Sequence, residues 1–226
     1  MNRRMWKSLL EKARKGDAKA QLDVGVYYAD GFNDSKGKRL VAKDPAKAVH
    51  WYRLAAEQGN SEAQNQLGVC LSTGIGTRLD LKQALSWTTK AFAQGDSLAA
   101  HNLATIYRDM NQFNKAFELY NRAVAMGELD SLLEVGLSFY YGIGTTKNSQ
   151  AACKCFKRIL KAKPSKTTET TREDAYYMLG VASLEGKGIK QSISKARSYF
   201  EQADKDDDHR AAQLLLWMTG RKHSIR

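Results

Sequence analysis

The stretch Asn60-Ser61-Glu62-Ala63-Gln64-Asn65-Gln66-Leu67-Gly68-Val69-Cys70-Leu71-Ser72-Thr73-Gly74-Ile75-Gly76, with Asp80 and then Gln83-Ala84-Leu85-Ser86-Trp87-Thr88-Thr89-Lys90-Ala91-Phe92-Ala93-Gln94-Gly95 behind it, decides the fold. Its apolar positions recur at three and four residues, Leu67 and Leu71 in the first half and Ala84, Trp87 and Ala91 in the second, which is the period of a one-sided helix. Asn60 and Asp80 stand three and four residues ahead of Ala63 and Ala84, where a short polar side chain accepts from the first free amides of a helix. Gly74 follows the last periodic residue of the first half, where a left-handed residue ends a helix. The stretch reads as a helix pair joined by a glycine turn.

Outward from it, the same pattern occurs five times, anchored at Gly25, Gly68, Ala104, Gly136 and Gly180 at intervals of 43, 36, 32 and 44 residues. A truncated sixth copy, Ala211-Ala212-Gln213-Leu214-Leu215-Leu216-Trp217, restarts the first half only and reads as a capping helix over 209–220. Such self-similarity marks a chain built by stacking one small unit. The expected units run 16–59, 60–95, 96–127, 128–162 and 172–208, all within a single solenoid. The capping residues repeat as well: Asp17, Asn60 and Asp96 before the first helices, and Asp44, Asp80, Asn148 and Ser192 before the second. Asp44 is followed by Pro45, a preferred first helical residue. Gly25, Gly68, Gly136 and Gly180 fall inside first helices, where glycine costs about 1 kcal/mol against alanine, so close helix approach must offset it. Gly31, Gly74, Gly142 and Gly186 sit where a helix ends. Residues 31–43 and 163–171 interrupt the period, and both insertions read as polar surface loops, the second as the one candidate linker.

The phrases Ala63 to Gly68, Gly74-Ile75-Gly76 and Gln83 to Gly95, with the parallel Lys47-Ala48-Val49-His50-Trp51-Tyr52-Arg53-Leu54-Ala55-Ala56-Glu57-Gln58-Gly59, resemble Sel1-like repeats, relatives of the tetratricopeptide class. The resemblance covers residues 16–218. It departs at Leu119, Cys155 and Tyr199, which replace the second-helix Trp, at Ala104, which replaces the first-helix Gly, and in the third unit, which lacks the Gly-x-Gly turn. The fold it implies is all-α, a right-handed α/α superhelix of about five helix-turn-helix repeats with a terminal cap. The function it implies is a non-catalytic scaffold that binds another protein on a concave face of first helices. Among proteins of this kind without a secretion signal are bacterial adaptors, signalling scaffolds and immunity proteins that neutralise a toxin or effector. On that geometry the exposed first-helix positions are Leu22, Val26, Asn65, Val69, His101, Thr105, Arg108, Leu133, Leu137, Tyr140, Tyr141, Tyr177 and Val181. The last six are mostly apolar or aromatic. They form either a binding groove or the packing between neighbouring units.

Composition bounds the alternatives. The 226 residues are 42% hydrophobic and 27% charged with only two prolines, a globular composition long enough to bury a core without disulfides or metals. No stretch approaches the ~20 apolar residues of a membrane span, and Met1 to Lys7 runs into Glu11-Lys12 with no apolar segment behind it, so no secretion signal is read. Three cysteines, Cys70, Cys153 and Cys155, make no disulfide framework and suit a reducing, cytoplasmic setting.

Catalytic and cofactor motifs fail on spacing. Gly31 to Gly37-Lys38-Arg39 has five intervening residues, not four, and Arg where a phosphate loop needs a hydroxyl. The Gly-x-Gly pairs follow helices, and Leu79, Lys147 and Gln191 occupy the third glycine of a dinucleotide fingerprint. Asp204-Lys205-Asp206-Asp207-Asp208 imitates a calcium loop, but His209 and Leu215 stand where glycine and glutamate belong. His50, His101, His209 and His223 are never paired at i, i+4, so no zinc helix forms. No enzyme, cofactor or metal site is expected.

The net charge of +12 is concentrated. Residues 1–15 carry +5, with Arg3, Arg4, Lys7, Lys12, Arg14 and Lys15; residues 31–43 carry +3; residues 151–166 carry +6 with no acid. Lys154, Lys157, Arg158 and Lys161 recur at i, i+3, i+4 and i+7, one stripe opposite Cys155, Phe156 and Ile159. Three readings of it stand: a solvated face, a surface for an acidic protein, or a contact for nucleic acid or anionic membrane. The last is the alternative function, although no Arg and aromatic interleaving of a stacking platform accompanies the stripe.

Overall fold

The computed structural model describes residues 3–34 and 36–203. The expected cap over 209–220, the acidic run Asp204–Asp208, His209 and His223 lie outside the described residues. Among the described residues eleven α-helices follow one another: α1 (Arg3–Arg14), α2 (Ala18–Asp30), α3 (Pro45–Glu57), α4 (Ser61–Thr73), α5 (Leu81–Ala93), α6 (Ser97–Asp109), α7 (Phe113–Ala125), α8 (Ser131–Tyr141), α9 (Ser149–Lys161), α10 (Glu169–Glu185) and α11 (Ile193–Ala203). They fall into two compact bodies, the first reaching Met110 and the second beginning at Asn111.

The local chemistry read from sequence starts these helices. Asp17, Asn60 and Asp96 accept from the amides of Ala20, Ala63 and Ala99 at 2.7–3.0 Å. Asp44, Asp80 and Asn148 do the same for Lys47, Gln83 and Ala151, and Ser192 for Lys195 at 3.3 Å. Gly74, Gly142 and Gly186 end α4, α8 and α10 in the left-handed region. After α6 the turn has no glycine, and Asn111 takes the positive φ of 59° instead, a position asparagine tolerates.

In the first body, α2 packs on α3 and α4 on α5, and α1 covers α2 with Trp6, Leu9, Leu10 and the buried Ala13. Val24, Ala55, Ala56, Ala63, Leu67, Ala84 and Ala91 are fully buried along these seams. In the second body, α8 packs on α9 and α10 on α11 around Phe156, Ile159, Leu179 and Phe200. The internal glycines mark the closest approaches. A Cβ on Gly136 would fall 2.4 Å from the Phe156 ring, and one on Gly180 would fall 2.5 Å from Phe200. The partners at Gly25 and Gly68 are Tyr52 and Thr88. The residue that fills the notch is therefore the one after the Trp position, which is Phe156 beside Cys155 and Phe200 beside Tyr199.

Both insertions differ from the loops expected. Residues 31–43 contain a two-stranded antiparallel hairpin, β1 (Phe32–Asn33) and β2 (Arg39–Val41), with Phe32 opposite Val41. Phe32 stands edge-on to Tyr27 at 5.2 Å, and Val41 opposite it is buried, so the apolar base of the hairpin is held against α2 through Phe32. Residues 163–171 are not a linker. A single 3-10 turn, Pro164–Lys166, leads into α10, which begins at Glu169, inside the insertion. Behind that turn Thr167 and Thr171 are buried, and Arg172 donates to the carbonyls of Ile159, Leu160 and Ala162 at 3.1–3.3 Å. The Ile159 and Leu160 carbonyls belong to the last turn of α9 and that of Ala162 to its C-cap, where helix carbonyls run short of amide partners; the Ile159 carbonyl also accepts from the Ala162 amide, and one guanidinium from the next helix bonds all three.

Candidate protein-binding surface

The first helices of the second body, α8 and α10, carry the last six of the expected first-helix positions, and the structure sorts them by depth. Tyr140 belongs to the core: it is 4% exposed, and its hydroxyl donates to the Glu185 carboxylate at the end of α10. Burial, then the bonded carboxylate, pushes the Tyr140 hydroxyl above its ordinary pKa. The same bond, followed by Lys187, holds Glu185 below the usual glutamate range. Tyr140 is thus a joint between α8 and α10, and the expectation that it lines an open face is corrected. Leu22 and Asn65, expected in the same row in the first body, are also buried; Asn65 accepts from Asn102 at 2.9 Å.

Leu133, Leu137, Tyr177 and Val181 are half-buried and pack against the core with part of each side chain left open. Tyr177 lies tilted against Phe200, 5.8 Å between centroids. Tyr141 is 57% exposed and edge-on to Tyr140, and Ile143 beyond it is 45% exposed. Ile143 is a residue that sequence reasoning missed, although a signal existed: it lies between Gly142 and Gly144, both at positive φ, in a turn that directs its side chain away from the helix pair. Gly144 itself sits on the first turn of α7, where a Cβ would meet the Phe113 carbonyl at 2.2 Å.

His101 and Arg108 lie on α6 in the first body, both half-buried. Arg108 reaches the carboxylate of its neighbour Asp109 at 3.3 Å. Lys154, Lys157, Arg158 and Lys161 are all exposed on α9, with Phe156 and Ile159 fully buried on the other side and Cys155 half-buried at the flank. The five cations of α1 and Lys15 just beyond it are exposed, Lys15 paired with Glu11 at 2.9 Å. A cleft of about 500 Å³ between α1 and α2 is lined by Arg4, Met5, Ser8, Leu9, Lys12, Asp23 and Tyr27.

Nothing in this arrangement gathers reactive groups. Cys70, Cys153 and Cys155 are free, and burial pushes all three thiols up, away from the thiolate. Among the described residues no cluster of three His, Cys, Asp or Glu could hold a metal ion, and no helix is long and apolar enough to cross a membrane.

Consecutive helix pairs, four of the five with a glycine notch and most of their helices opened by a side-chain cap, define an α/α repeat protein. The Sel1 repeat model matches residues 18–60, 61–96, 97–128, 129–162 and 173–203. The chain belongs to the Sel1 repeat family, whose members are generally non-catalytic protein-interaction scaffolds. The solved structure of a Sel1 repeat protein from Oxalobacter formigenes superposes with a TM-score of 0.71, at 23% identity over 91% of this chain and 80% of that one. A protective antigen of uropathogenic Escherichia coli with an SLR fold gives 0.64, at 23% identity over 96% of this chain and 51% of that one. Among curated proteins, the ERAD-associated E3 ubiquitin-protein ligase component HRD3 of Candida glabrata is 30% identical over 130 residues, 54% of this chain and 16% of that protein. DAP3-binding cell death enhancer 1 of Rattus norvegicus is 33% identical over 101 residues, 44% of this chain and 18% of that protein. The chain thus spans less than a fifth of the length of these two relatives.

Proposed function

We propose that this protein is a non-catalytic scaffold that binds a partner protein on the first-helix face of its second body, through Tyr141, Ile143, Leu133, Leu137, Tyr177 and Val181. The observation that carries the reading is Tyr141 and Ile143, two large apolar side chains left exposed two residues apart at the end of α8, the helix that also carries the half-buried Leu133 and Leu137. Adjacent exposed apolar groups on a folded domain mark contact sites, and aromatic anchors carry much of the energy of such contacts. The occupant is an apolar-faced segment of another protein, because the Tyr141 and Ile143 side chains offer burial in place of charge pairing. The names of both curated relatives support a partner-binding role, one a component of a ligase and the other a binder of another protein. Within that role the finer assignment is a cytoplasmic adaptor, or an immunity protein that neutralises a toxin or effector.

The test is affinity capture from native lysate, washed at about 0.5 M salt to remove contacts held by exposed charge, with Tyr141→Glu run in parallel. A stoichiometric protein that survives the wash, rebinds when purified and is lost in Tyr141→Glu supports the reading. A partner held equally by Tyr141→Glu, whose melting curve matches the parent, refutes it.

A further inference from the structure

The five second helices of the repeats offer an internal comparison. On α3, Arg53 is followed four residues later by Glu57; on α7, Glu118 stands between Lys115 and Arg122; on α11, Arg197 is followed by Glu201. On α5 the two cations, Lys82 and Lys90, are eight residues apart, and Lys90 lies over the Trp87 ring at 4.0 Å. Each of these helices intersperses, separates or covers its charges. α9 does none of this. Lys154, Lys157, Arg158 and Lys161 are exposed, three and four residues apart, and none forms an ion pair among the described residues. Like charges at these spacings destabilise the helix that carries them.

Neither of the ordinary reasons for basic residues on a helix accounts for the whole stripe. Cations in a last turn favour the helix dipole, but that effect is confined to the last turn, and Lys154 and Lys157 lie before it. The terminal carbonyls themselves are closed by Arg172, so Arg158 and Lys161 are not needed there. Lys163 and Lys166, both exposed, extend the positive field past the end of the helix.

We infer that this face of α9 docks an acidic helical segment of a partner protein, a site separate from the first-helix face and independent of the reading given to it. The match is one of charge and spacing. Four cations along about 10 Å of helix face a helix with carboxylates at i, i+3, i+4 and i+7 one for one. Single-stranded nucleic acid is disfavoured because no exposed aromatic side chain of α9 offers a stacking platform. A membrane is disfavoured because no large apolar side chain of α9 is exposed for insertion.

The experiment titrates the full chain with an alanine-rich helical peptide of about 20 residues, long enough to hold its helix in water, bearing glutamates on one face. The controls are the same composition with glutamates spread around the helix, a short DNA duplex, and phosphatidylserine vesicles. The expected result is binding of the one-faced peptide at low salt, weakened about 30-fold in Lys154→Glu/Lys157→Glu/Arg158→Glu/Lys161→Glu and largely abolished by about 0.5 M salt. Lys154→Gln/Lys157→Gln, the milder change, should fall between, and Tyr141→Glu should bind as the parent does. Melting curves establish that each variant is folded. Equal binding of the spread peptide, tighter binding of duplex or vesicles, or no binding at low salt would each overturn the proposal.

Discussion

In the first body, the position four residues before each internal glycine is a buried glutamine; in the second it is Leu132 or Tyr176. Gln21 donates to the Ala13 carbonyl at 3.0 Å and accepts from Gln58 at 2.7 Å. Gln64 repeats the arrangement one unit later, donating to Ala56 at 3.1 Å and accepting from Gln94 at 2.8 Å. Each glutamine ties a first helix both to the end of the helix before it and to the end of the helix after it. Leu132 is buried and Tyr176 lies against Tyr199, so the second body makes these junctions by apolar contact. The notch residues differ to match: Phe156 and Phe200 in the second body, Tyr52 and the small Thr88 in the first. Hydrogen bonds fix register by direction, whereas aromatic plugs supply burial with little direction. The second body adds its directional contacts elsewhere, through Arg172 and the Tyr140–Glu185 pair.

The largest effect expected from this contrast is at Phe156. Phe156→Ala removes a fully buried ring facing Gly136 and should destabilise by about 3–5 kcal/mol in denaturant unfolding; a loss under 1 kcal/mol would break the idea that the second body rests on its plugs. Gln64→Ala removes one of the bonds to the Ala56 carbonyl, which keeps the Gly59 amide, and frees the Gln94 amide, for an expected loss of about 1–3 kcal/mol from the two lost hydrogen bonds. Gln64→Glu can still accept from the Gln94 amide but cannot donate to the Ala56 carbonyl, so it should not restore the parent's stability.

Tyr140→Phe should lower stability by about 1 kcal/mol at neutral pH, one partly exposed hydrogen bond to a charged acceptor. Because the folded pKa of Glu185 is depressed, its contribution is complete above the unfolded glutamate value near 4.3 and is lost as pH falls through the lower folded value. The difference between parent and Tyr140→Phe should therefore shrink on acidification, and a difference that grew would place the hydroxyl's partner elsewhere. The smallest effect is a gain. The buried Thr88 hydroxyl has no hydrogen-bond partner, so Thr88→Val should raise stability by up to about 1 kcal/mol, read as a small upward shift in Tm.

The architecture was largely legible in sequence because its determinants are short in range. Asp17, Asn60, Asp80, Asp96 and Asn148 act on amides three residues away, and the turn glycines act on their own backbone. The partners of the notch glycines were less visible, because Tyr52, Thr88, Phe156 and Phe200 share a position in the repeat but no single residue type. The insertions were misread because their anchors lie beyond them: Tyr27 lies before the hairpin it holds, and Arg172 follows the segment it closes. At the candidate surface, Tyr140 and Tyr141 are equally aromatic and adjacent. Tyr140 follows the buried Leu132 and Gly136 at four-residue steps, and its hydroxyl meets Glu185, 45 residues away, a partner no local pattern names.

Arg172 gives the repeat a closing point that does not coincide with its period. The fourth Sel1 match ends at residue 162, yet three carbonyls near that end accept from a guanidinium ten residues further along, the Ile159 carbonyl sharing it with the Ala162 amide. A nascent chain would thus complete α9 only after part of α10 had left the ribosome, so the two helices mature together. A fragment cut at the boundary the repeat suggests would fray at its last turn, and one carried on through Arg172 would not.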